Sequence, residues 1–187
     1  MLSGYERSHQ SIGHPRSGNA RSFRGGNVFR ARHRTPAWGP LTCEYYLAIH
    51  HHLFQDVYEW AGKIRSIRIS KGDSAFCYPE HIHRELLRIF AELAADNDLC
   101  DLDSRQFADK AAAFVAELNA IHPFREGNGR TQLSFLVELS ERAGHPLNLD
   151  RLDPAAILSA TIASFGGDSR QLADIIFAMI EGSVEIG

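Results

Sequence analysis

His122-Pro123-Phe124-Arg125-Glu126-Gly127-Asn128-Gly129-Arg130 gathers a titratable base, a carboxylate, an amide between two glycines and a guanidinium in nine residues. An apolar-periodic stretch runs into it from Phe107 and another leaves it from Thr131, so the pattern predicts a loop between two helices. Glycines on either side of Asn128 let the backbone turn its N–H groups inward, which makes an anion cradle at a helix start. Arg130 can fork onto a phosphate oxygen. Glu126 is a hard oxygen ligand of the kind a phosphate-bound Mg²⁺ takes once or twice. His122 can accept a proton near neutral pH. Together these groups point to phosphoryl or nucleotidyl transfer. There is no GxxxxGK[ST] run and no GxGxxG after a strand, which sets aside the two commonest phosphate-binding loops.

The stretch resembles the Fic-domain motif HxFx(D/E)GNGRxxR. The upstream run LFQDVYEWAGKIRSIRIS-KGDSAF is similar to that family's helix and flap hairpin. The resemblance spans about residues 41 to 181 and implies an all-α Fic fold of six to seven helices with one β-hairpin flap. It implies a protein adenylyltransferase that moves AMP from ATP onto a Tyr, Thr or Ser hydroxyl of a target protein and releases pyrophosphate. His122 is then the catalytic base and Glu126 the Mg²⁺ ligand. Gly127, Asn128, Gly129 and Arg130 form the nucleotide cradle, joined by Lys71 and Gly72 at the flap tip; a solvated lysine is the alternative for Lys71. The target would lie along Ile69, Lys71, Ser74 and Phe76, because main-chain pairing holds an extended segment without demanding much of its sequence.

One position departs from the motif. The second arginine falls at 133, where this chain has Leu133. In the family that arginine holds the terminal phosphate of ATP and pairs with an inhibitory glutamate. Its absence leaves open a CDP- or UDP-linked donor, or a non-catalytic nucleotide-binding module. The family's inhibitory pattern [S/T]xxxE[G/N] is half matched by Phe177-Ala178-Met179-Ile180-Glu181-Gly182, with Phe where the hydroxyl belongs, and we read that match as chance. A separate antitoxin-like inhibitor is also implied by the resemblance, although its glutamate would lack the usual arginine.

The 187 residues fit one folded domain, residues 41–187, behind a leader of residues 1–40. The leader is rich in Gly, Ser, Arg and Pro and reads as poorly ordered. It holds seven arginines and one acid, leaving 13 bases against 22 acids beyond it, so the body carries about −9 and the leader +6. An acidic body argues against nucleic acid. No apolar run has the length of a membrane span and no secretory h-region opens the chain. Three isolated cysteines, Cys43, Cys77 and Cys100, suit a reducing compartment. The expectation is a cytoplasmic protein, in the bacterial cytosol or in a host cytosol if it is a secreted effector or toxin.

Along the chain, the first helix is expected from Leu41 to Ala61, with Thr42 as cap and Leu47, Leu53, Phe54, Val57 and Trp60 buried. Consecutive helical residues point about 100° apart, so His50, His51 and His52 cannot close on one ion and are read as a solvated face. Ile64, Ile67 and Ile69 mark a strand, Gly72-Asp73-Ser74 a turn, and Ala75-Phe76-Cys77 a short return. Pro79 opens a helix that ends near Asp96, and Asp103 with Gln106 forms a capping box for the next. A helix from Thr131 ends near Gly144, Asp153-Pro154 starts one that runs to Phe165, and Asp168 caps the last.

Overall fold

The computed structural model describes residues 39–71 and 74–180. The leader up to residue 38, Gly72 at the flap tip and the Glu181-Gly182 half of the inhibitory-like pattern lie outside the described residues. Among the described residues, six α-helices and one two-stranded ribbon follow in order: α1 Cys43–Phe54, β1 Ser70–Lys71, β2 Ser74–Ala75, α2 Pro79–Ala95, α3 Ser104–Ile121, α4 Asn128–Arg142, α5 Pro154–Ser164 and α6 Arg170–Met179. The architecture is all-α, as expected. No helix among the described residues is long and apolar enough to cross a membrane.

Local chemistry sets most of the boundaries. Thr42 caps α1 by accepting the N–H of Tyr45 at 3.2 Å. Pro79 stands in the first turn of α2, where its missing N–H costs nothing. At α3, Asp103 accepts the Gln106 N–H at 2.8 Å while the Gln106 side chain returns to the Asp103 N–H, completing the capping box. Asp153 accepts from Ala155 and Ala156 to start α5. Ser169, one residue later than expected, occupies the cap position of α6, but the Asp168 carboxylate still accepts the Arg170 N–H.

α3 lies at the centre, packing against α2, α4, α5 and α6. Phe107, Ala111 and Leu118 on its inner stripe are fully buried. Aromatic rings fill the space between α1, α2, α3 and α4: Tyr46, Phe90, Phe114, Phe124 and Phe135 meet at centroid distances of 5.3–5.8 Å, several of them edge-on.

Three expectations are corrected. The first helix stops at Phe54, and the chain then turns through Gly62, whose φ of +78° only glycine adopts without strain. Its buried face is Tyr45, Tyr46, Ile49, His50 and Phe54, while Val57, expected in the core, is 67% exposed. The flap ladder is only two residues per strand, with Ser70 opposite Ala75 and Lys71 opposite Ser74, so Ile64, Ile67 and Ile69 stand outside it. Finally, α4 begins at Asn128, three residues before Thr131, which makes Gly127 its cap and places Asn128, Gly129 and Arg130 in its first turn.

Candidate active site

The site is built where α3 ends and α4 begins. His122 is the residue that closes α3, in the left-handed conformation (φ 48°, ψ 63°), with its N–H still bonded to the Leu118 carbonyl at 2.9 Å. The turn swings the imidazole off the helix axis. Its Nδ1 lies 3.3 Å from the Asn119 carbonyl oxygen, and the ring stacks on Phe76 at 3.8 Å. A carbonyl accepts only, so Nδ1 carries the proton and Nε2 holds the ring's lone pair. Phe76 is buried between His122 and the edge of Phe165. It was expected to face a target; it instead packs against the His122 ring. Ile69 is half-buried beside it, while Lys71 and Ser74 are backbone partners in the ladder.

Pro123 and Phe124 are buried, and Phe124 fills the core. The Asn128 side chain folds back and brackets Phe124: its Oδ1 accepts the Phe124 N–H at 3.0 Å, and its Nδ2 donates to the Phe124 carbonyl at 2.9 Å. The amide therefore closes the loop, and what Asn128 presents at the helix start is its peptide N–H. Gly127 opens α4 at φ +83° with no side-chain cap, so the first-turn N–H groups face outward at the positive end of the helix. A Cβ at Gly127 would stand 2.5 Å from the Phe54 ring, whereas one at Gly129 meets no heavy atom within 4 Å. Gly129 is thus a surface that backbone-hugging phosphate could approach, and Gly127 is a packing requirement.

Arg130 is exposed, with its guanidinium 4.4 Å above the Phe54 ring. Glu126 is exposed and its Oε1 accepts the Gly127 N–H at 3.0 Å. Leu133 is half-buried one turn further along α4, on the face it shares with Gly129 and Arg130. No group of three or more metal-ligating side chains occurs among the described residues. A lone carboxylate beside an anion cradle fits Mg²⁺, which takes one or two carboxylates and draws its other ligands from phosphate and water.

Two residues that the sequence reading missed hold this loop in place. His50 is 0% exposed, contrary to the solvated reading of the histidine run. Its Nδ1 accepts the Gly62 N–H at 2.8 Å, so its Nε2 carries the proton and donates to the Glu126 carbonyl at 3.0 Å, while its ring stacks on Phe124 at 3.7 Å. The signal was present: Tyr46, His50 and Phe54 recur every four residues on one face. His51 is exposed and turns to the Ala61 carbonyl. Arg65 is the second: 3% exposed, it bonds to both limbs of the flap and to the end of α3.

Burial pushes the His50 imidazole below its ordinary value, and the nearby Arg130 charge pushes the same way. The neutral ring is the one that can accept from Gly62. A group with a depressed folded-state pKa that gains a charge on protonation favours unfolding as pH falls, because the unfolded chain binds the proton first. Stability from His50 is therefore present above about pH 6.5 and declines below it. Thermal unfolding at neutral and mildly acidic pH should show a drop in the parent protein that is smaller in His50→Gln.

The chain matches the Fic/DOC family model over residues 40–139. It is 54% identical to a probable protein adenylyltransferase, y4lH, of Sinorhizobium fredii, over 81% of this chain and 79% of the relative. It is 39% identical to the protein adenylyltransferase VbhT of Bartonella schoenbuchensis, over 79% of this chain but only 30% of that longer protein. The crystal structure of the BepC effector of Bartonella tribocorum with bound AMPPNP superposes with a TM-score of 0.72 at 26% identity, over 84% of this chain and 82% of that one. With family model, relatives and fold in agreement, the chain belongs to the Fic/DOC family.

Proposed function

We propose that this chain is a protein adenylyltransferase in which His122 is the general base and the first turn of α4 grips the nucleotide phosphates. One observation supports the reading above the rest: a single loop, closed on itself by Asn128, joins an imidazole at one helix end to an uncapped helix start bearing Glu126 and Arg130. The relatives named adenylyltransferase, and the neighbour holding AMPPNP, supply the donor: ATP.

In this reading the ATP phosphates lie against the N–H groups at 128–130 and the bare Cα of Gly129, with Arg130 bracing an oxygen. Glu126 would hold Mg²⁺, which neutralises phosphate charge when bound. A target segment pairs with the flap along Ile69, Lys71 and Ser74 and brings a hydroxyl to Nε2 of His122. His122 takes the hydroxyl proton as the oxygen bonds to the α-phosphorus, and the bond to the leaving pyrophosphate breaks. Positioning and charge stabilisation carry the rest of the barrier. Lys71 and Gly72 at the flap tip complete the nucleotide side in this reading. The reaction runs in a cytosol, of the producing bacterium or of a host, and a small inhibitory partner protein would have to act without an arginine at 133.

A donor with two phosphates is the second reading, and Leu133 is the observation that favours it. Supplying ATP labelled at the α-phosphate beside CDP- and UDP-linked donors decides between them: transfer from ATP alone supports adenylylation, and transfer only from the others overturns it. Two variants sharpen the phosphate site. Leu133→Arg restores one charge-assisted contact, about 1.5–3 kcal/mol, so ATP affinity measured by calorimetry should rise roughly 10–150-fold. Gly129→Ala should stabilise the exposed helix by about 0.5–1 kcal/mol yet weaken nucleotide binding by about tenfold or more, because the new methyl stands where phosphate meets backbone.

A further inference from the structure

We propose that Arg65 is a positioning residue that couples the flap to the base: one guanidinium joins both flap limbs to the peptide of His122. The inference rests on the reading of His122 as base and of the flap as the docking edge for the target. The ladder between β1 and β2 has its last pair at Ser70 and Ala75, and a single longer bond, from the Phe76 N–H to the Ile69 carbonyl at 3.4 Å, continues it. Below that point the guanidinium takes over. Nη1 donates to the Ile67 carbonyl at 2.6 Å on the outgoing limb, and Nη2 donates to the Cys77 carbonyl at 2.6 Å on the returning limb.

The same group reaches the end of α3. Nε donates to the His122 carbonyl at 2.8 Å, and Nη2 also meets the Ile121 carbonyl at 3.3 Å. Two backbone bonds flank it, from the Arg65 N–H to the Pro123 carbonyl at 2.9 Å and from the Cys77 N–H to the Ala120 carbonyl at 3.0 Å. The last carbonyls of a helix have no partner within it, and a cation there also suits the helix dipole. His122 sits at a φ of 48°, a conformation that a residue other than glycine holds only when its surroundings impose it. Arg65 is the cation that imposes it, and every acceptor it uses is a main-chain oxygen, so its orientation is set by backbone alone.

The consequence is mechanical. A target strand that pulls on Ile67 or Cys77 moves the guanidinium, and the rigid fork passes the movement to the His122 peptide. Lysine cannot substitute, because three donors on one point charge at the end of a flexible stem do not serve four separate carbonyls at once.

The test uses the full chain with Arg65→Lys and, as a neutral control, Arg65→Met. Three quantities are read: AMPPNP affinity by calorimetry, the rate of label transfer from α-labelled ATP to a lysate protein that His122→Ala does not label, and amide hydrogen exchange. AMPPNP affinity should stay within about threefold of the parent, while transfer falls by about 10–100-fold, the scale of a misplaced base. Exchange at 76–78 and at 121–122 should rise together, and added guanidinium ion should restore part of the rate in Arg65→Met. Parent-like transfer in Arg65→Lys, exchange rising at only one of the two segments, or AMPPNP affinity lost in step with the rate would each overturn the proposal. If Arg65→Met does not fold, Arg65→Lys carries all three readouts. A parent protein that labels nothing counts against the adenylyltransferase reading instead, and the exchange measurement still decides whether Arg65 couples the two segments.

Discussion

His122→Ala is expected to abolish AMP transfer while leaving nucleotide binding close to that of the parent. A positioned general base contributes about 10²–10⁴-fold to rate, and in the proposed reading the phosphates are held by the first-turn N–H groups at 128–130 together with Arg130, not by the imidazole. The ring stacks on Phe76 and reaches the Asn119 carbonyl, so its loss removes some packing at the flap root. The Leu118 bond is made by the backbone and survives the substitution. Calorimetry with AMPPNP and label transfer from α-labelled ATP, on the same preparation, should therefore separate: affinity kept, transfer gone. Parallel loss of both would mean that the histidine shapes the pocket and does not serve the chemistry.

Gly127→Ala should have the largest effect on folding of any single methyl added to this loop. Gly127 adopts φ +83°, where a side chain costs about 1–2 kcal/mol. The new Cβ would lie 2.5 Å from two atoms of the Phe54 ring. Overpacking of that kind adds about 1–3 kcal/mol. Phe54 cannot retreat freely, since Arg130 lies over its face and His50 packs beside it at 4.7 Å. The sum, about 2–5 kcal/mol, corresponds to a fall in melting temperature of roughly 5–15 °C for a domain of this size. Gly129→Ala, two residues away, should not lower it. A Gly127→Ala protein that melts with the parent would show that Phe54 does not press on the loop as described.

Legibility of the sequence differed by the kind of signal. Helix starts were readable because their signals are local: Thr42, Asp103 with Gln106, Pro79 and Asp153-Pro154 each act within four residues. The apolar stripe of α3, entering the loop from Phe107, followed from periodicity. The motif loop was readable as a set of functional groups, and its resemblance to a known family gave the fold. What could not be read was where polar side chains bond across long separations. His50 reaches Glu126 over 76 positions and Arg65 reaches His122 over 57; residue type marks arginine as surface-seeking and leaves histidine undecided, and neither names a partner. Val57 failed for a related reason: it fits the helical period, but the helix ends three residues earlier. Phe76 shows the converse. As a flap aromatic it suggested a contact for a partner, yet it is buried between the His122 ring and the edge of Phe165.

In the proposed reading, one interhelical loop holds the donor by its phosphates while His122 arms an incoming hydroxyl. That reading is tested most directly by incubating the full chain with a cell lysate and ATP carrying label on either the α- or the γ-phosphate. The account predicts protein labelling from α-labelled ATP only, dependent on His122, with pyrophosphate released. Labelling from the γ-phosphate, or labelling that persists in folded His122→Ala, would contradict it.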